Sequence, residues 1–93
     1  MNAHTNSVVL FYLQKSDVNK IGFTATKKIG NAVIRNRAKR RLRALFVKHS
    51  PRLKDGSYVF IAKLSTVQNT SIQLENDFLK VLSRLKSIKK TND

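Results

Sequence analysis

No aspartate or glutamate occurs between Val18 and Lys54. That window contains GFTATKKIGNAVIRNRAKRRLR, Gly22 to Arg43, and it is dense in lysine and arginine. If Asn31 caps a helix that begins at Ala32, a turn of about 100° per residue puts Ile34, Ala38, Leu42, Leu45 and Phe46 on one arc of roughly 120°. Such an arc faces a core. On the same wheel Arg35, Lys39 and Arg43 form a single stripe, while Arg37, Arg40, Arg41 and Lys48 take most of the remaining circumference. A solvated helix ordinarily interleaves acids with bases so that neighbours one turn apart attract. Here the like charges repel unless a polyanion neutralises them, and the expected polyanion is nucleic acid.

The rest of the composition narrows the class. The chain has 93 residues, 19 of them Lys or Arg and only 5 Asp or Glu, for a formal charge of +14. With 41% hydrophobic residues it is not a disordered basic tail, so residues 1–93 read as one RNA-binding domain with a single core. Cysteine is absent, which excludes a disulfide framework and thiolate metal sites and suits a reducing compartment. No apolar run reaches the length of a membrane span, and MNAHTNS lacks the regions of a signal peptide. A cytoplasmic protein without a membrane role is expected.

Ser7 to Gln14 and Lys20 to Thr26 are rich in β-branched and aromatic residues and are linked by the polar KSDVN, which predicts a β-hairpin. In the second strand Ile21, Phe23 and Ala25 alternate with Gly22, Thr24 and Thr26. In the first, both alternating sets are apolar, Val8, Leu10 and Tyr12 against Val9, Phe11 and Leu13, so something must cover or use the second face. Ile29 and Gly30 make a turn, the basic helix follows, and Ser50-Pro51 stops it near His49. Ser57 to Leu64 reads as a central strand buried on both faces, and Ser65 to Asn69 as a polar turn. Thr70 and Gln73 fit a capping box for a last amphipathic helix carrying Leu74, Phe78, Val81, Leu82, Leu85 and Ile88. Glu75 and Asp77 near its start and Lys86, Lys89 and Lys90 near its end complement its dipole, and Thr91 to Asp93 should fray.

A protein-borne active site needs paired acids, a nucleophile with a base, or a metal cluster. None is legible. Glu75 and Asp77 are two apart on a helix and diverge, Asp17 and Asp55 fall in turns, and His4 and His49 lack ligand spacing; His4 reads as part of a disordered terminus. Catalytic and metal-binding residues are therefore assigned to none of the side chains. Any hydrolysis linked to this chain belongs to another molecule.

KKIGNAVIRNRAKRRLR resembles the signature of the protein subunit of bacterial ribonuclease P, through the R-N-R element at Arg35, Asn36 and Arg37 and its continuation from Lys39 to Arg43. The likeness extends more weakly from Val9 to the final helix. It implies an α+β two-layer sandwich similar to a ribosomal-protein domain, with the basic helix in a left-handed βαβ crossover, where general rules give a right-handed one. It further implies a partner RNA that performs Mg²⁺-dependent removal of the 5′ leader from precursor tRNA, the magnesium being held mainly by that RNA. The family's leader-binding cleft maps onto Phe11, Thr24, Lys28, Arg35, Asn36, Lys39 and Arg43, and its catalytic-RNA surface onto Arg37, Arg40 and Arg41, with Lys27 able to serve either. A monomer within the ribonucleoprotein is expected. Family members usually begin with a basic helix over the sheet, and this chain starts where that helix should have ended, which leaves the Phe11 face partly exposed. A generic ribosomal or structural RNA-binding protein is the alternative, and a stand-alone nuclease ranks third.

Overall fold

Four short segments pair into one mixed sheet, seen in a computed structural model that describes residues 1–14 and 20–87. The strands are β1 (Asn2–His4), β2 (Val8–Leu13), β3 (Lys20–Ala25) and β4 (Ser57–Ala62), in the spatial order β1-β2-β4-β3. β4 runs antiparallel to β2 and parallel to β3. Helix α1 spans Ala32–His49, the short α2 spans Leu64–Gln68, and α3 spans Ser71–Arg84. The α1 helix packs on β3 and β4, α3 on β1 and β2, and both bury against the same sheet face.

Phe60 is the centre of that interface. Its ring lies 5.6 Å from Phe23, 5.8 Å from Phe46 of α1 and 4.8 Å from Phe78 of α3. Around it Val8, Leu10, Ala38, Leu42, Leu74, Val81 and Leu82 are wholly or almost wholly buried, each large one contributing about 1.5–3 kcal/mol. The Tyr12 and Tyr58 rings meet at 4.7 Å, and burial, reinforced by Tyr12, pushes the Tyr58 phenol well above its ordinary range.

The helix boundaries follow local chemistry. The Asn31 side chain accepts from Ile34 N at 3.0 Å, and Thr70 and Gln73 form the reciprocal capping box of α3. Before α1, Lys27–Ile29 form a 3-10 turn and Gly30 takes φ 147°, where an added Cβ would meet Ile34 Cδ1 at 2.9 Å. After α1, Ser50–Arg52 form a second 3-10 turn with Pro51 in its first turn.

Six sequence expectations are corrected. Ile34, expected on the core-facing arc of α1, is exposed while Ala38 and Leu42 are fully buried, because it sits in the first turn of the helix over Gly30. The hairpin is not formed: β2 and β3 are antiparallel but β4 lies between them, because its run of Tyr58, Phe60 and Ala62 takes the centre of the core and pairs with both. The proposed link Lys15 to Asn19 lies outside the described residues. β4 is not buried on both faces, since Val59 is exposed opposite Phe60. Ser65 to Asn69 is no plain turn but mostly α2, whose start is fixed by Thr66 Oγ1 accepting from Lys63 N at 3.0 Å. The last helix stops at Arg84: Lys86 adopts φ 54° while Lys86 N donates to Ser83 O and Ser87 N to Leu82 O, the left-handed closure that satisfies terminal carbonyls. Ile88, Lys89, Lys90 and Thr91 to Asp93 lie outside the described residues. His4, finally, sits in edge strand β1, paired with Val9.

Candidate nucleic-acid interface

About two helical turns separate the ends of the Arg35, Lys39 and Arg43 stripe, and one flank of α1 presents all three toward β3. Arg35, Asn36 and Lys39 line a cleft of about 180 Å³ with Ala32 and with Ala25 at the end of β3. Arg35 Nε is fully buried there and has no hydrogen-bond partner among the described residues. A buried donor left unpaired costs free energy until an acceptor arrives. Farther along the flank the Arg43 guanidinium carbon stands 5.5 Å from the centroid of the Phe23 ring, a cation–π contact that holds the side chain along the sheet edge. Lys27 and Lys28 are exposed on the 3-10 turn that leads into α1.

The second surface is the sheet face away from the helices. Register pairs Phe11 with Val59 and Val59 with Gly22 in one row, and Val9 with Ile61 and Ile61 with Thr24 in the next. Phe11, Leu13 and Val59 are 42%, 53% and 37% exposed. Gly22 adds no side chain beside Val59, so the row is a shallow apolar floor bounded by Thr24 and Lys20.

The residues expected at a leader site thus fall into two groups. Arg35, Asn36 and Lys39 share the cleft; Phe11 and Thr24 share the open face. The groups meet at β3, an edge strand whose residue Ala25 borders the cleft and whose neighbour Thr24 points to the other side. Sequence does not single out Val59, because the unbroken apolar run around it conceals which face it takes.

The opposite flank of α1 behaves differently. Lys48, grouped with the uncompensated cations on the helical wheel, is paired with Glu75 of α3 at 2.7 Å. His49 is nearly buried, stacks near Phe78 and shares Glu75 at 2.8 Å, so Glu75 bridges the two helices rather than serving a helix start. These contacts, Lys48 foremost, hold the Glu75 carboxyl below its usual range. Arg41 donates to the carbonyls of Thr66 and Asn69. By contrast, Arg35, Arg37, Lys39, Arg40 and Arg43 form no ion pair among the described residues.

A sheet with one face open among the described residues, edged by a helix flank on which Arg35, Lys39 and Arg43 have no acidic partner among them, suits a small α+β module for binding RNA. Sequence comparison makes the class specific, because a profile of the ribonuclease P family matches residues 1–86, and the chain belongs to that family. It is 43% identical over 83 residues to the ribonuclease P protein component of a Nitratiruptor species, covering 89% of this chain and 75% of that one. The corresponding component of Helicobacter acinonychis is 37% identical over 79 residues, with coverage of 82% and 52%. The fold superimposes on the Staphylococcus aureus RNase P protein with a TM-score of 0.81 at 25% identity, covering 96% of this chain and 84% of that one. Against the RNase P protein of Thermotoga maritima the TM-score is 0.75 at 19% identity, covering 90% and 82%, a likeness of fold. Membership makes this chain a protein component of an endoribonuclease ribonucleoprotein, and a part in tRNA 5′-leader processing follows from it. No helix among the described residues is long and apolar enough to cross a membrane.

Proposed function

We propose that this chain binds the catalytic RNA of ribonuclease P through Arg37, Arg40 and Lys27 and holds the single-stranded 5′ leader of precursor tRNA on the surface that meets at β3. In this reading Phe11 gives a stacking platform, Thr24 and Asn36 give polar contacts, and Lys28, Arg35, Lys39 and Arg43 neutralise leader phosphates. The RNA partner holds the Mg²⁺ and performs cleavage, the protein acts as one copy per ribonucleoprotein, and the assembly works in the cytoplasm. The observation that carries the reading is the cationic flank, without an ion pair among the described residues and with its buried Arg35 Nε unpartnered among them, opening onto the edge of a sheet whose other face exposes Phe11, Leu13 and Val59.

A single strand suits this geometry better than a duplex does. Unstacked bases can lie on the Phe11 row while the backbone follows the basic flank, whereas a paired helix offers its bases to no such floor. The test is reconstitution with the cognate catalytic RNA and titration of precursor and mature tRNA. Replacing Arg35 or Lys39 by Ala should weaken precursor binding and leave mature tRNA nearly unaffected. Equal losses for both ligands would reject the leader assignment, and cleavage by protein free of RNA would reject the division of labour.

A further inference from the structure

Arg41 lies in the middle of the basic run, yet both of its terminal nitrogens are committed within the protein. Nη1 donates to Thr66 O at 2.6 Å and Nη2 donates to Asn69 O at 2.9 Å. Both acceptors belong to the end of α2, where the last carbonyls of a helix have no partner of their own. Thr66 is wholly buried, so water does not readily replace the guanidinium. A planar fork spans two carbonyls at once, whereas an ammonium group holds one of them.

The same corner holds Ser7, which is fully buried and immediately precedes β2. Thr66 Oγ1 donates to Ser7 O, and Lys63 N donates to the same oxygen at 3.3 Å. Asn69 Nδ2 donates to Ser7 Oγ at 2.5 Å, and Ser7 Oγ donates to Asp77 Oδ2 of α3 at 2.6 Å. A continuous polar chain therefore runs from the basic helix, through the α2–α3 corner, to the start of the strand that carries Phe11.

We infer that Arg41 is a positioning residue rather than an RNA ligand: it fixes the α2–α3 corner against α1 and, through Ser7, sets the entry of β2. Turning Arg41 out to a phosphate would strand two carbonyls, and a phosphate pairing at the surface is screened by salt while the loss inside is not. The inference rests on the proposed reading only in taking Arg37 and Arg40 as the RNA-facing residues of the helix.

The experiment compares R41M, R41K and R40M. In the free protein, R41M should melt roughly 6–15 °C below wild type, the loss expected for charge-assisted hydrogen bonds in a domain of this size. Its amide exchange at Thr66 and Asn69 should accelerate more than tenfold beyond any change at Leu42, a local opening that general destabilisation does not produce. R41K should recover part of both, and remains informative if R41M does not fold. Titrated with catalytic RNA across a salt series, R41M or R41K should keep the wild-type log–log slope while R40M lowers its magnitude by about 1. A slope loss at position 41 equal to that of R40M overturns the inference, as does wild-type melting together with wild-type exchange at the corner. If R40M leaves the slope unchanged, the RNA-face reading of α1 is what fails, and corner exchange still decides Arg41.

Discussion

The two flanks of α1 are built from the same residue types and do opposite things. On the flank beside β3, Arg35, Lys39 and Arg43 find only small side chains, an amide and an aromatic ring, and Arg35 Nε ends without a partner among the described residues. On the flank beside α2 and α3, Lys48 and His49 meet Glu75, and Arg41 meets two carbonyls. Charge density in a sequence therefore does not measure the charge a ligand meets. The neighbours decide it, and among the described residues the acceptors that engage the cationic side chains of α1 lie to one side of the helix.

The contrast between the flanks breaks first, and by the largest margin, beside β3. Replacing Arg35, Lys39 and Arg43 together by Ala should weaken precursor-tRNA binding roughly 100-fold, taking about 1 kcal/mol for each solvent-exposed ion pair with a phosphate removed. Thermal melting should fall only slightly, because none of the three makes an ion pair among the described residues and Arg43 gives up only its cation–π contact with Phe23. A large fall in melting temperature would mean that this flank, too, is structural. On the crest of the helix the expected effect is smaller: Arg37→Ala or Arg40→Ala should each lower the magnitude of the salt slope for catalytic-RNA binding by about 1. Two unchanged slopes would leave the crest without an RNA.

The smallest effect belongs to the α3 flank and sharpens the contrast through pH. Lys48 and His49 depress the Glu75 pKa in the folded protein, so their contribution is present above the ordinary carboxylate pKa of about 4.3 and is lost as pH falls through the lower folded value. Glu75→Gln should melt a few degrees below wild type near neutral pH, with the gap closing in acid and the RNA salt slope unaltered. A gap that persisted once acid had protonated Glu75 in the folded protein, followed by the NMR shift of its side-chain carboxyl carbon, would show that the link is not carried by the charge of Glu75.

Much of this architecture is readable from residue order because its signals are local. Asn31, the apolar arc from Ile34 to Phe46, whose first member Ile34 is nonetheless exposed, and Pro51 mark α1, and Thr70 with Gln73 marks the start of α3. The strand order is not readable in that way. SVVLFYLQ and KIGFTAT are near neighbours with complementary patterns, so local pairing is the natural inference, and only the competition of β4 for the Phe23 and Tyr12 rows undoes it. β1 carries three residues and no pattern of its own, yet Ala3 pairs with Leu10 and joins the core. The stripe of the leader flank is legible as a helical period. The commitment of Arg41 is not, since its partners are backbone carbonyls and any residue type could supply them.

The insertion of β4 between β2 and β3 also governs the order of events as the chain folds. Phe11 and Gly22 share a row only through Val59, and the parallel pairing of β3 with β4 requires α1 to be spanned first. Apart from the local β1–β2 pair, the sheet consequently consists of contacts between residues distant in sequence, the topology that folds slowly. During synthesis the cationic helix emerges before the strand that completes its binding surface, so it has charge before it has a site. A nucleus that contains β4 is expected from this topology: Phe60→Leu should slow folding, whereas Ala3→Gly at the sheet edge should act mainly by speeding unfolding. Stopped-flow chevrons of the two variants decide the point, and a Phe60→Leu chevron altered only in its unfolding limb would place the nucleus elsewhere.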